Sequence, residues 1–271
     1  MIKKRKTLGL ALGAGGWKGL AHIGVIKVLV KNNIPIDYIA GSSAGALIGG
    51  LYAALRDIYQ VEKIAKRLTY RDLVSALADP RMFSGVFKGE RMVRFLTGLV
   101  GEVNIEDLPI PFSAVTTNLL TGQTSPIMKG NLARAIRASG SVPFLFQPVT
   151  HKGQHYADGA ISMPVPVKIV QNMGADIVLA VNLYGSMFSS KRLVGIRRPG
   201  SISTAQIAHN LLIYNLALTN SRLADLEIDP QIPAWGGDPL TRFVGNSKII
   251  EKGAIEMEKN LSYLEKLLGL V

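Results

Sequence analysis

The chain has 271 residues, with 31 lysines and arginines against 19 aspartates and glutamates, a net charge of +12, and no cysteine. A hydrophobic share of 48% excludes disorder as a global description. The absence of cysteine removes disulfides, a thiol nucleophile and thiolate metal sites together.

The length suits one α/β domain over 1–271, and no linker or internal repeat divides it. The basic start Lys3-Lys4-Arg5-Lys6 meets a short apolar run that is soon broken by glycines, with no cleavage-site pattern, so a cytoplasmic chain is expected. A second basic cluster is formed by Lys191, Arg192, Arg197 and Arg198. Basic charge favours anionic partners, although the ordinary reading of both clusters is solvated surface. No recognition-helix or aromatic-interleaved basic pattern points to nucleic acid. An anionic membrane surface is therefore the candidate peripheral partner.

In chain order, Thr7 to Leu12 reads as a short apolar strand and Leu20 to Asn32 as a helix with apolar residues at helical spacing. Ile36 to Ala40 gives a second strand and Ala44 to Leu55 a second helix. The 18 uncharged residues between Asp37 and Arg56 approach a membrane-spanning length, but they are rich in Ala, Gly and Ser. We read them as a buried strand, turn and helix.

Irregular helix is expected from Tyr59 to about Ala78, and further helices over Glu90 to Leu99 and Asn131 to Ser139. Strands are expected over Pro111 to Thr117 and Ile177 to Leu183, with a turn-rich region around Pro143, Pro148 and Lys152-Gly153. The last helices span Ser203 to Ala217 or beyond, with Ser203 as N-cap, and Asn246 to Leu268. Alternating strands and helices predict a three-layer α/β/α sandwich around a mostly parallel sheet. The motif-bearing core runs from about residue 7 to 183, and helices complete it over about 200–271.

Gly41-Ser42-Ser43-Ala44-Gly45 fits G-x-S-x-G, placed after a strand and opening a helix. A sharp turn there exposes a serine hydroxyl, and the helix N-terminus offers N–H groups to a developing oxyanion. Gly13-Ala14-Gly15-Gly16-Trp17-Lys18-Gly19 follows the first strand. It fails the dinucleotide pattern because position 18 is lysine, and fails the phosphate-loop pattern because the lysine precedes the last glycine. An oxyanion loop or a ligand-free tight turn remain. Of the histidines, His22 and His209 fall in helical patterns. His151 and His155 flank a hairpin turn and form with Asp158 a loose candidate metal trio.

The stretch Leu8 to Leu55, the later Asp158-Gly159-Ala160 and the block from Ala135 to Pro148 together resemble patatin-like phospholipases. That resemblance implies a lipid acyl hydrolase with a histidine-free dyad, Ser43 as nucleophile and Asp158 as base, and no cofactor or metal. Backbone N–H groups near Ala14, Gly15 and Gly16 would hold the oxyanion, supported by Gly13, Lys18, Gly19, Gly41, Gly45 and Gly159. Three positions depart from the family's pattern. Ala14 stands at the first glycine of its triplet, Trp17 where a smaller residue is common, and Met163 at a frequent asparagine. The competing readings are a Ser43–Asp158–His209 triad and a non-catalytic membrane-surface adaptor on the same fold. The apolar, arginine-spaced stretch from Arg81 to Leu96 is either a lipid-facing flap or a helix packed on the core.

Overall fold

The computed structural model describes residues 5–67, 87–186, 200–232 and 247–271. Its first strand, β1 (Leu8–Leu12), is buried along its whole length. Leu8, Leu10 and Leu12 face one hydrophobic cluster and Ala11 faces another, as the two-residue period of a strand requires. On the first face lie α1 (Leu20–Lys31), α2 (Ala44–Leu55), α3 (Ile58–Arg67), α4 (Glu90–Val100) and α5 (Leu132–Ser139). On the second lies α6 (Val167–Asn172), with Ala217 of the long helix α7 (Ser201–Ser221) packed in the same cluster. The last helix, α8 (Ser247–Leu268), returns to the first face and packs along α1. The three-layer α/β/α arrangement is thus as expected.

β1 pairs in parallel with β2 (Tyr38–Ser42) and with β7 (Ile177–Val181). β2 pairs in parallel with β3 (Phe112–Asn118), and β7 with β8 (Leu226–Ile228). Beyond β3 the sheet turns antiparallel. β4 (Thr124–Ile127) and β6 (Gln154–Asp158) both run against β3, and β5 (Val149–His151) runs against β6. The sequence reading missed β4, β8 and α6, each of which is short.

Two strand ends differ from expectation for local reasons. The Asp37 carboxylate accepts the Leu8 N–H at 2.7 Å and both Arg5 guanidinium arms at 2.8 and 2.7 Å, while its own N–H donates to the Leu8 carbonyl at 2.8 Å, just before β2 begins at Tyr38. Arg5 is therefore paired rather than simply solvated. Asn182 Oδ1 accepts the Tyr184 N–H at 2.9 Å, a local turn that ends β7 at Val181. α7 starts at Ser201 with Gly200 as N-cap, so Ser203 lies inside its first turn. Among the described residues no helix is long and apolar enough to cross a membrane. The first part of the proposed flap, from Arg81 to Val86, and the cluster from Lys191 to Arg198 lie outside the described residues. The part of the flap that is described packs inward, with Val93 and Leu96 of α4 buried.

Candidate active site

The register of β3 explains how residues distant in sequence meet. β4 pairs with β3 from Ala114 to Thr117, overlapping both other partners, so it occupies one edge of β3 and leaves the opposite edge to β2 and β6. β2 ends with Ser42 opposite Val115, and β6 arrives from the other direction, ending with Asp158 opposite Thr116. The two strands abut in one lane. Ser43 and Asp158 are the residues at that junction.

Ser43 leaves β2 with φ 53 and ψ −114, a conformation that costs a non-glycine residue about 1–3 kcal/mol. The turn is too tight for side chains beside it. A Cβ on Gly41 would lie 2.4 Å from the Ala46 nitrogen, and one on Gly45 would fall inside contact distance of the Leu12 carbonyl. This is the strained strand-to-helix elbow that G-x-S-x-G predicts.

Asp158 is buried, and burial pushes its carboxyl up to about 6, opposed by hydrogen bonding from the Ser43 side chain and the Ala160 N–H. Oδ1 accepts that N–H at 2.8 Å, while Oδ2 is buried without a partner of its own. A carboxylate with one oxygen anchored and the other unanchored beside a serine hydroxyl is suited to accept a proton. Tyr184 packs near Ala160, and its phenol is held protonated by burial and by the Asp158 charge.

The glycine-rich loop corrects one expectation. The Ala14 N–H donates to the Pro164 carbonyl at 2.8 Å, and the Gly13 N–H to Val181 at 3.0 Å, so Ala14 is not an oxyanion donor. It has no positive φ either, so alanine stands there without backbone strain. Gly15, Gly16 and Ala44 carry N–H groups with no partner among the described residues, and Ala44 opens α2 beside Ser43. Lys18 is buried, and its Nζ donates to the Leu183 carbonyl at 3.1 Å, so it braces the loop. Trp17 and Met163 pack against the two core clusters.

Other candidates are not brought together. His151 and His155 are exposed, His155 Nδ1 bonds Thr150, and Asp158 is buried at the strand's far end. No metal-holding cluster occurs among the described residues. The buried His22 Nε2–H donates to the Gly13 carbonyl at 2.8 Å, and burial lowers its pKa to about 4, so it is a neutral brace of the loop. His209 makes no hydrogen bond to Ser43 or Asp158, and its Nε2 has no partner.

Ala135 to Ser139, which the sequence assigns no chemical role, carry a buried network. Arg137 is buried, with Nη1 donating to Ser141 Oγ at 2.6 Å and Nη2 to the Lys88 and Gln147 carbonyls at 2.7 and 3.0 Å. Its guanidinium also lies 4.6 Å from the Phe146 ring centre. Ser141 in turn accepts the Asp158 N–H at 3.1 Å through its carbonyl. Removing the guanidinium strands several buried oxygens, so Arg137→Met is expected to lose about 3 kcal/mol in urea denaturation.

Residues 10–170 match the patatin-like phospholipase family description, more than half of the chain. The chain belongs to the patatin-like phospholipase family. An uncharacterised NTE-family protein of Mycobacterium bovis is 41% identical over 177 residues, which cover 65% of this chain and 49% of that protein. Lysophospholipase NTE1 of Mycosarcoma maydis is 34% identical over 203 residues, covering 70% of this chain and 10% of that protein. The patatin-like chain thus spans about half the length of the first of these relatives, and far less of the fungal one. VipD from Legionella pneumophila superposes with a TM-score of 0.58 at 16% identity, over 94% of this chain and 67% of that one, a likeness of fold.

Proposed function

We propose that this chain hydrolyses lipid acyl esters, with Ser43 as nucleophile and Asp158 as the base that serves it directly. The observation that carries this reading is the abutment of β2 and β6, which sets the Ser43 hydroxyl against a buried, half-satisfied carboxylate. Asp158 takes the hydroxyl proton as Ser43 Oγ attacks the ester carbonyl, and the oxyanion turns toward the N–H groups of Gly15, Gly16 and Ala44, unpaired among the described residues. Collapse expels the alcohol, which takes the proton back from Asp158. Asp158 then deprotonates water to release the acid and restore Ser43.

An apolar slot supports a fatty acyl substrate. It starts at Gly16 and Ala44, beside the reacting groups, and runs past Leu47 and Leu51 of α2 between Ile64 of α3 and Leu99 of α4. Seven residues of helix separate Ala44 from Leu51, about 10 Å. The cavity volume is about 50 Å³. Leu51→Ala deepens the slot at its far end, so the preferred acyl length in a series of p-nitrophenyl esters is expected to rise by roughly two carbons.

The fungal relative's name makes a one-chain phospholipid the first natural class to assay. The net charge of +12 favours presenting it in anionic vesicles. The reading is tested with a fluorophosphonate probe and peptide mapping. Labelling at Ser43 that is lost in Ser43→Ala and kept in His209→Ala supports it. Folded protein that takes no label overturns it. The lack of a hydrogen bond to His209 Nε2 or Asp158 Oδ2 disfavours a triad, and an unstrained Ala14 disfavours a degenerate, non-catalytic site.

A further inference from the structure

The ladder between β2 and β3 is interrupted at one rung. The Ile39 N–H donates to the Pro111 carbonyl at 3.0 Å. A parallel ladder repeats such a bond at every second residue, which would next bring Gly41 to Ser113 and then the Ser43 N–H to the Val115 carbonyl. At that last rung the structure holds a hydroxyl instead. Ser139 Oγ accepts the Ser43 N–H at 2.9 Å and donates to the Val115 carbonyl at 2.6 Å.

We propose that Ser139 is a positioning residue for Ser43, its hydroxyl spliced into the β2–β3 ladder at the rung where the nucleophile must leave it. The assignment deepens the acyl-hydrolase reading and rests on it for its kinetic consequence. A serine in the last turn of a helix ordinarily bonds a carbonyl of its own preceding turn. Ser139, fully buried at the end of α5, instead reaches residues 96 and 24 positions away. A hydroxyl both accepts and donates at one atom, so it extends the rung without leaving either backbone group unsatisfied.

The effect is geometric. Had Ser43 bonded Val115 directly, β2 would continue as strand and its hydroxyl would alternate with the pleat. With the spacer in place, Ser43 is held away from β3 at φ 53, and the lane stays open for β6 to deliver Asp158 opposite Thr116. α5 cannot drift, because Arg137 ties its last turn to Lys88, Ser141 and Gln147. Since Ser141 also receives the Asp158 N–H, one end of one helix registers both members of the dyad.

The test compares wild type with Ser139→Ala, Ser139→Thr and Ser113→Ala. Ser113 is an equally buried serine on β3 whose hydroxyl has no partner, and it serves as the packing control. Hydrolysis of p-nitrophenyl butyrate is followed for kcat and KM, with Tm recorded for each variant. Ser139→Ala is expected to lower kcat by about 10²-fold with KM within twofold, the scale of a misplacement near 1 Å. Ser139→Thr keeps the hydroxyl and is expected to recover most of kcat, and Ser113→Ala to match wild type. A folded Ser139→Ala with wild-type kcat overturns the proposal, as does an equal loss in Ser113→Ala. If Ser139→Ala does not fold, Ser139→Cys decides: kcat retained with that poor acceptor overturns the splice, and a loss confined to kcat supports it. If wild type neither turns over nor labels, the hydrolase reading has failed, and the splice is judged from the crystal structure of Ser139→Ala. A shifted Ser43 backbone upholds it there, and an unmoved Ser43 sinks it.

Discussion

Ser43→Ala is expected to lower ester turnover by roughly 10⁴-fold or more while leaving the fold intact. Neither Ser42 nor Ser139 can take over. Ser42, its neighbour, lies buried under Gly159, where even an added Cβ on the glycine would come 2.6 Å from Ser42 Oγ. Ser139 is engaged at both ends of its hydrogen bonding. Alanine meets the same penalty at φ 53 as serine, so its Tm should stay close to wild type. Ser43→Gly removes that penalty, and should be equally inactive but more stable by about 1 kcal/mol, read by urea denaturation. Inactivity accompanied by a stability gain at the same residue would show that the strain serves chemistry. Equal stability in Ala and Gly would mean the elbow stores none.

Asp158→Asn should give the second large effect, and in opposite directions for rate and stability. Asparagine cannot accept the Ser43 proton, so turnover should fall by at least about 10³-fold. For stability the sign follows from the raised carboxyl. Its folded pKa is about 6 against 3.8 for the free group, so the native state holds the proton more tightly than the unfolded chain. Stability is therefore fully present below pH 4, declines as pH rises from about 4 to 6, and stays lower above that, by about 3 kcal/mol in all. The neutral asparagine is spared this cost and should unfold later than wild type at pH 8, while the two converge at pH 4. Because only the ionised carboxylate is a base, wild-type kcat/KM should rise with pH through about 6. A pH profile with no limb near 6, or an Asp158→Asn variant less stable at pH 8, would remove Asp158 from this role.

Much of this was legible in the sequence where local chemistry decides. G-x-S-x-G between a strand and a helix located the elbow because only glycines tolerate backbone at 2.4 Å on its inner side. The apolar run of β1 and the helical spacing of α1 fixed the first crossover. What could not be read was set by pairing at a distance. Nothing in Thr124 to Ile127 or Gln154 to Asp158 says that they take opposite edges of β3, and that choice brings Asp158 to Ser43. The Ala14 donor was misjudged for the same reason, since the Pro164 carbonyl that claims its N–H lies 150 positions further along the chain. Ser139 and Arg137 were visible as part of a familiar block, but their work depends on Val115, Ser43 and Ser141 being placed around them.

The head-on meeting of β2 and β6 also bears on how the chain reaches a working state. Ser43 and Asp158 are 115 positions apart, and neither strand touches the other through a ladder of its own. Within the sheet they are registered to each other through β3, one in parallel and one antiparallel, and long-range pairings of this kind form slowly because loop closure precedes any gain from contact. A fragment ending before the β5–β6 hairpin holds Ser43 and its flanking glycines but neither Asp158 nor the strand that carries it. Under the proposed dyad, catalytic competence is a property of the completed sheet, acquired when β3 has been claimed on one edge from both directions.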